Sequence, residues 1–258
     1  MLQTLTNEIV LITGASSGIG AACARVCSKN GARVILNARR EERLNALAAE
    51  LKKSYGNSNL VLPFDVRNLD QVKNAFETLP MEWQSIGVLI NSAGLARGFD
   101  KLQEGHIEDW EEMIDSNVKG LLYVTRLVVP GMVKRGKGHV VNIASTAGIQ
   151  TYPRGNVYCA SKAAVRVLSD GLKQDLLGTP IRVTTISPGL VETEFSQVRF
   201  HGDRERAAQT YKGMTPLTAD DVADTIFYAI TRPPHVNISE IVLMPTDQSG
   251  PTLVYRRE

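Results

Sequence analysis

Tyr158 and Lys162 stand four residues apart in NVYCASK, and Ser145 lies 13 residues before Tyr158. On a helix, residues at i and i+4 share a face, so this phenol and ammonium can lie side by side. A free tyrosine ionises near pH ~10, and use as a base near pH ~8 asks for a depression of about 2 units, or roughly 2.7 kcal/mol. An ammonium about 4 Å away, at an effective dielectric near ~20, supplies about 4 kcal/mol. The pair is suited to moving a proton on or off an oxygen while a hydride leaves or reaches the adjoining carbon. Ser145 adds a hydroxyl able to hold that oxygen. Tyr and Lys at this spacing also occur as one aromatic and one cation that share a helix face, so the rest of the chain must decide. Cys159, between them, has no evident role beyond packing.

A hydride needs a carrier, and TGASSGIG, Thr13 to Gly20, has the features of a dinucleotide loop. Gly14 permits a tight turn, Gly18 lets backbone approach a pyrophosphate, and Gly20 allows close helix–sheet packing. Ser16, Ser17 and Ile19 complete the loop, and the following helix N-terminus offers N–H groups and partial positive charge. A plain turn is the alternative, disfavoured by the strand-loop-helix context. In ILNARREER, Asn37 and Ala38 occupy the place where a carboxylate would bond a ribose 2′-hydroxyl, and Arg39 and Arg40 follow. Guanidinium groups welcome a 2′-phosphate through forked, charge-assisted hydrogen bonds, so NADP is the expected cofactor. The alternative is a basic cap beside Glu41 and Glu42. FDV places Asp65 and Val66 where an adenine could be met, and NSAG places Asn91, Ala93 and Gly94 against a ribose; either stretch would also serve as a turn.

Positioning these groups falls to a repeating pattern of short β-branched runs and longer amphipathic segments. EIVLIT precedes a helix over 18–29, ARVILN one over 41–53, and NLVLPF one over 69–79. GVLIN precedes a helix from about 109 to 133, HVVNIAS one over 157–177, and IRVTTIS helical stretches near 204–211 and 219–230, before a last strand, SEIVLM. The pattern predicts an α/β Rossmann fold in a single domain spanning 1–258, with a seven-stranded, mainly parallel sheet covered by helices on both faces. Ligands then bind at the carboxyl ends of the strands. Pro130 predicts a kink or break in its helix. The longest irregular segment, 187–203, follows the sixth strand and predicts a lid reaching to about 215.

Of the 258 residues, 43% are hydrophobic and 22% charged, with a formal net charge of +2. So balanced a charge offers no electrostatic case for nucleic acid or an anionic membrane, and a small-molecule substrate is expected. No apolar run reaches membrane-spanning length and the first residues lack a signal-peptide pattern, so the expected location is cytoplasmic. Cys23, Cys27 and Cys159 make no disulfide framework, and the four histidines lack metal-ligand spacing; no metal is expected.

TGASSGIG, NSAG, SNVKG, Ser145, Tyr158-x-x-x-Lys162 and SPGLVET, in this order along nearly the whole chain, resemble the short-chain dehydrogenase/reductase family. The resemblance implies an NAD(P)-dependent oxidoreductase with Asn117, Ser145, Tyr158 and Lys162 as its catalytic set. It implies that Asn117 orients a water linking Lys162 to solvent, and that Pro188, Gly189, Val191 and Thr193 contact the nicotinamide and pyrophosphate. GNVYCASKAAVR, EDWEEMIDSNVKG and the segment DLLGTPIRVTTISPGLVETEFSQVRFHGD are similar to the NADP-dependent 3-hydroxy acid dehydrogenases, also described as serine or L-allo-threonine dehydrogenases. That group implies a small hydroxy acid or semialdehyde substrate and a homotetramer, with the apolar last strand and C-terminal tail as candidate contacts. A carboxylate calls for a cation, and Arg199 and Arg154 are the candidates. Sulfoacetaldehyde reduction, a broader carbonyl reductase and a non-catalytic NADP-binding redox sensor are the other readings, and the presence of Ser145, Tyr158 and Lys162 tells against the last.

Overall fold

The computed structural model describes residues 4–257. Seven strands, β1 (Ile9–Thr13), β2 (Arg33–Asn37), β3 (Asn59–Val61), β4 (Ile86–Asn91), β5 (Gly138–Ile143), β6 (Ile181–Pro188) and β7 (Glu240–Leu243), form one sheet in the order β3-β2-β1-β4-β5-β6-β7. Every pairing is parallel, so the expected Rossmann sheet is parallel throughout rather than mainly so. The helices are α1 (Gly18–Lys29), α2 (Glu41–Tyr55), α3 (Leu69–Glu77), α4 (Ile107–Ile114), α5 (Leu121–Arg135), α6 (Asn156–Asp175), α7 (Phe195–Arg199), α8 (Arg204–Gln209) and α9 (Ala219–Ile230).

β1, read as IVLIT, is buried along its whole length, which explains its lack of polar alternation: both faces are covered. Val10 and Ile12 join the core under α1, α2 and α9, with Ala24, Leu44 and Ile226. Ile9 and Leu11 point the other way, to Val72 of α3 and Val124, Val128 and Met132 of α5. Cys23 and Cys27 are buried in the first of these cores, where burial raises both thiols, Cys27 to about 12, so they act as small apolar residues.

Strand order reverses at β1, whose neighbours β2 and β4 are followed by helices on opposite faces, and this opens a crevice at the carboxyl edge. Two expectations change in its surroundings. α5 runs through Pro130 without a break; the interruption lies upstream, in a π-helical turn over Asp115–Gly120 that joins α4 to α5. Packing of Val128, Val129 and Met132 holds the helix despite the hydrogen bond that proline removes. The segment expected to be irregular, 187–203, instead contains the end of β6, a parallel bridge from Val191 to Leu217, and α7.

Asn91, whose backbone is expected against the cofactor ribose, turns its side chain into the sheet interior. Its Nδ2 donates to Asn142 Oδ1 at 2.8 Å and Thr125 Oγ1 at 3.1 Å, and Asn142 Nδ2 donates to Ser169 Oγ at 2.8 Å. This buried ladder ties β4 and β5 to α5 and α6. Asn91→Ala leaves Asn142 and Thr125 without their donor and should cost about 1–3 kcal/mol in urea unfolding.

Candidate functional site

A cleft of about 720 Å³ runs along the carboxyl ends of β1, β2, β4, β5 and β6. Gly14, Ser16, Ser17, Gly18 and Ile19 line it from the first loop, Arg39 and Arg40 from the second, and Asp65 and Val66 from the third. Ala93 and Gly94, then Ser145, Tyr158 and Lys162, then Pro188, Gly189, Val191, Thr193 and Arg199 complete the residues that sequence reasoning brought to it. Gly20, Asn91, Asn117 and Arg154 do not line it.

The backbone here fits a dinucleotide. Gly14 (φ +71°) has left-handed backbone, and a Cβ there would lie 2.9 Å from Ala93 backbone. A Cβ on Gly18 (φ +51°) would approach Thr193 to 3.3 Å, and one on Gly20 would strike the Gly14 carbonyl, so Gly20 serves close packing. Ser17, the N-cap of α1, makes no side-chain cap bond, leaving that helix end to an external anion. Arg39 is half exposed and loosely held, 3.7 Å from Glu112 and 4.0 Å from Asp65. Arg40 donates to Ser16 Oγ at 3.0 Å and Ser17 Oγ at 2.8 Å. These residues fit a pyrophosphate with a 2′-phosphate beyond it. Asp65 is itself clamped: Arg67 Nε and Nη2 meet Oδ2 at 2.9 and 2.7 Å. Burial pushes the Asp65 carboxyl up, but the Arg67 bonds outweigh it and hold the group below the ordinary range.

At the other end of the cleft, the first turns of α6 carry Tyr158 and Lys162, both buried. Lys162 Nζ donates to the Ile143 carbonyl at 2.8 Å, and burial lowers its pKa to about 8. Burial also drives the Tyr158 hydroxyl well above its usual value; Tyr152 adds to this, while a hydrogen bond with Ser145 and the Arg199 charge oppose it. Dehydration of a buried phenolate, a cost that the simple Coulomb sum omits, opposes the depression expected from Lys162. Tyr158 is held as the neutral acid at pH 7.

Asn117 sits in the π-helical turn behind this pair. Its Nδ2 donates to Leu95 O (2.8 Å) and Ser161 Oγ (2.9 Å), and its Oδ1 accepts from Leu95 N (2.8 Å). A Cβ on Gly94 would meet Asn117 Oδ1 at 2.9 Å and Lys162 Nζ at 3.3 Å, which places both groups against that glycine. Ser145 caps a short 3-10 turn, accepting from Ala147 N at 3.1 Å. Cys159 packs with Leu95, Met113, Ala147 and Tyr158, which gives it the place its sequence did not.

Of the two arginine candidates, Arg199 alone enters the cleft. Its guanidinium lies 5.7 Å from the Tyr158 ring centroid and 4.8 Å from that of Phe99, and Nη1 donates to Tyr152 Oη at 2.8 Å. Arg154, in left-handed backbone (φ +67°), lines a small neighbouring pocket instead. Sequence reasoning missed Arg206, Phe195, Phe200, Gln248 and Arg256 on the cleft wall. Gln248 Oε1 accepts from Leu190 N at 2.8 Å, and Arg256 Nη2 donates to Thr210 O at 3.1 Å, so the C-terminal tail closes the site. No local pattern marks these residues, because they reach the site only through the lid, β7 and the turn beyond it.

The short chain dehydrogenase family model matches residues 8–204, and the chain belongs to that family. An NADP-dependent 3-hydroxy acid dehydrogenase YdfG of Salmonella typhi is 50% identical over 242 residues, covering 93% of this chain and 96% of the relative. An NADP-dependent 3-hydroxy acid dehydrogenase of Schizosaccharomyces pombe is 42% identical over 258 residues, the full length of both. Among solved structures, the closed form of serine dehydrogenase complexed with NADP+ superposes with a TM-score of 0.91 at 46% identity, covering 97% of this chain and 100% of that one.

Because Lys162 is charged at greater cost when folded, its burden on stability is full below about pH 8. It is relieved as pH rises toward the unfolded value near ~10.4, since the unfolded chain then binds more protons. In urea unfolding, wild type should gain on Lys162→Met between about pH 7.5 and 10, by up to ~3 kcal/mol. Parallel curves for the two proteins would contradict the lowered value.

Proposed function

We propose that this chain is an NADP(H)-dependent oxidoreductase that interconverts a 3-hydroxy acid and its oxo form. The observation that carries the substrate class is Arg199, a cation 5.7 Å from the Tyr158 ring, walled by Phe99 and Tyr152. A carboxylate bound there leaves the carbon two bonds away near Tyr158 and Ser145. Arg206, 4.5 Å from the Phe200 ring, supplies a second positive charge on the same side. Arg39, with Arg40, Ser16 and Ser17, supports preference for the 2′-phosphorylated cofactor, and the names of the relatives agree.

When bound, the nicotinamide supplies or accepts the hydride. The chain's own residues handle the proton and the oxygen. Ser145 Oγ donates a hydrogen bond to the substrate oxygen, raising the electrophilicity of a carbonyl carbon. Tyr158, neutral through burial, gives its phenolic proton to that oxygen during reduction and takes it back during oxidation. Lys162, fixed on the Ile143 carbonyl, stabilises the phenolate left behind by Coulomb attraction. Asn117 positions this assembly by pinning the 94–95 backbone to Ser161 of α6. Aromatic side chains and the tail limit water around the transferring proton.

The same proposal places the chain in the cytoplasm as a homotetramer. Among the described residues no helix is long and apolar enough to cross a membrane. Val242, Met244, Leu253 and Tyr255 leave an exposed apolar face near β7 and the tail, of the kind subunits cover.

Tyr158→Phe should lower kcat by about 10²–10⁴-fold while NADPH still binds. Arg199→Ala should raise KM for a 3-hydroxy acid by roughly 10–100-fold and leave a neutral secondary alcohol nearly unaffected, whereas Arg154→Ala changes neither. Arg39→Ala should weaken NADPH far more than NADH. Equal loss on acid and neutral substrates with Arg199→Ala would sink the hydroxy-acid reading.

A further inference from the structure

Glu194 sits at the start of α7, between Thr193 over the glycine loop and Phe195, whose ring lies 5.5 Å from that of Tyr158. Its two carboxylate oxygens are divided between two cations of the opposite wall. Oε2 accepts from Arg40 Nη1 at 3.0 Å and Oε1 from Arg43 Nη1 at 2.6 Å. Arg40 in turn grips Ser16 and Ser17. One carboxylate thus joins three segments that border the cofactor channel: the lid, the glycine loop and the start of α2. Among the described residues no other ion pair ties 187–195 to the glycine loop or to α2.

The far end of α7 is held separately. Arg97 Nη1 donates to Val198 O at 2.7 Å, Gly98 N donates to Arg199 O at 3.0 Å, and His201 meets Asp109 at 3.1 Å. Loss of Glu194 therefore unties the end over the pyrophosphate path from the glycine loop and α2, leaving it to its backbone bonds with Leu217, and leaves the substrate end anchored. Burial pushes the Glu194 carboxyl up, yet the bonds from Arg43 and Arg40 outweigh it and keep the group ionised at neutral pH. With side chains 39–48% exposed, such pairs are weak enough to break and reform in each cycle.

We propose that Glu194 is a positioning residue, the clamp that holds the near end of the lid shut over the bound dinucleotide through Arg40 and Arg43. This rests on the dinucleotide reading of the cleft. The basic cluster is thereby divided in its duties. Arg39 is left for the 2′-phosphate, and Arg43, outside the cleft lining, serves closure alone.

Glu194→Gln in the full chain tests the clamp. Stopped-flow fluorescence should show NADPH released about five-fold faster, the scale of a broken exposed ion pair, with NADH accelerated by a similar factor. KM for the hydroxy acid should change less, and Arg43→Gln should reproduce the faster release. In the cofactor-free chain, limited chymotrypsin digestion after Phe195, at the released end, should also speed up, while trypsin cleavage after Arg199 at the anchored end should not. Release at the wild-type rate overturns the clamp whatever the digestion shows. Slower, tighter binding of NADPH alone overturns it too, since Glu194 would then be a competitor of the 2′-phosphate. Equal binding of NADPH and NADH by wild type would instead fault the NADP reading and leave the clamp standing.

Discussion

The burial of one ammonium, that of Lys162, is the constraint around which this site is arranged. Taking a cation out of water is costly unless it finds partners, and here the partner is the Ile143 carbonyl at the end of β5. Two glycines leave the room it needs. A Cβ on Gly94 would press on Lys162 Nζ, and one on Gly148 would strike the Lys162 backbone at 2.6 Å. Seating α6 so near the sheet edge buries Tyr158 with it, and Asn117 locks the arrangement from behind. Its three hydrogen bonds connect the loop after β4 to α6, and the π-helical turn carries the asparagine there.

Burial sets protonation as well as position. The same dehydration lowers Lys162 and raises Tyr158, so the resting pair is a neutral phenol beside a weakened ammonium. In the proposed reaction that suits carbonyl reduction directly, because the proton is already on the acid. Oxidation needs the phenol emptied first, and the positive charges of Lys162 and Arg199 are the groups placed to favour it. Coulomb attraction alone would make the tyrosine a base; its low-dielectric surroundings make it an acid whose proton those charges must draw off.

In the proposed function, specificity rests on parts of the chain that local sequence marks only weakly. Arg199 and Arg206 project from a lid that is helical and bonded to the loop after β4, and the tail from Gln248 to Arg256 covers what the lid leaves open. Arg40, whose position suggests a phosphate ligand, is bonded to the lid and the glycine loop together. A residue's type gives its charge, but the partner that uses the charge is set across more than a hundred positions of chain.

Local pattern alone dictates the alternating α/β architecture, because fully buried parallel strands must read as continuous apolar runs and their helices as amphipathic ones. It dictates the glycine loop as well, where only glycine readily takes the positive φ of Gly14 and Gly18, and the helical proximity of Tyr158 and Lys162, which a spacing of four enforces. Other features came from packing between distant segments. Asn91 turned inward because a buried ladder with Asn142 offered it partners, and the α4–α5 rod was interrupted at Asn117 rather than at Pro130 because packing outweighs one lost hydrogen bond. Arg199 reached the cleft and Arg154 did not, since that depends on how the distant segment around α7 packs beside it. Desolvation, the sum of everything packed around a group, then moves the proton affinities of the pair in opposite directions, up for Tyr158 and down for Lys162.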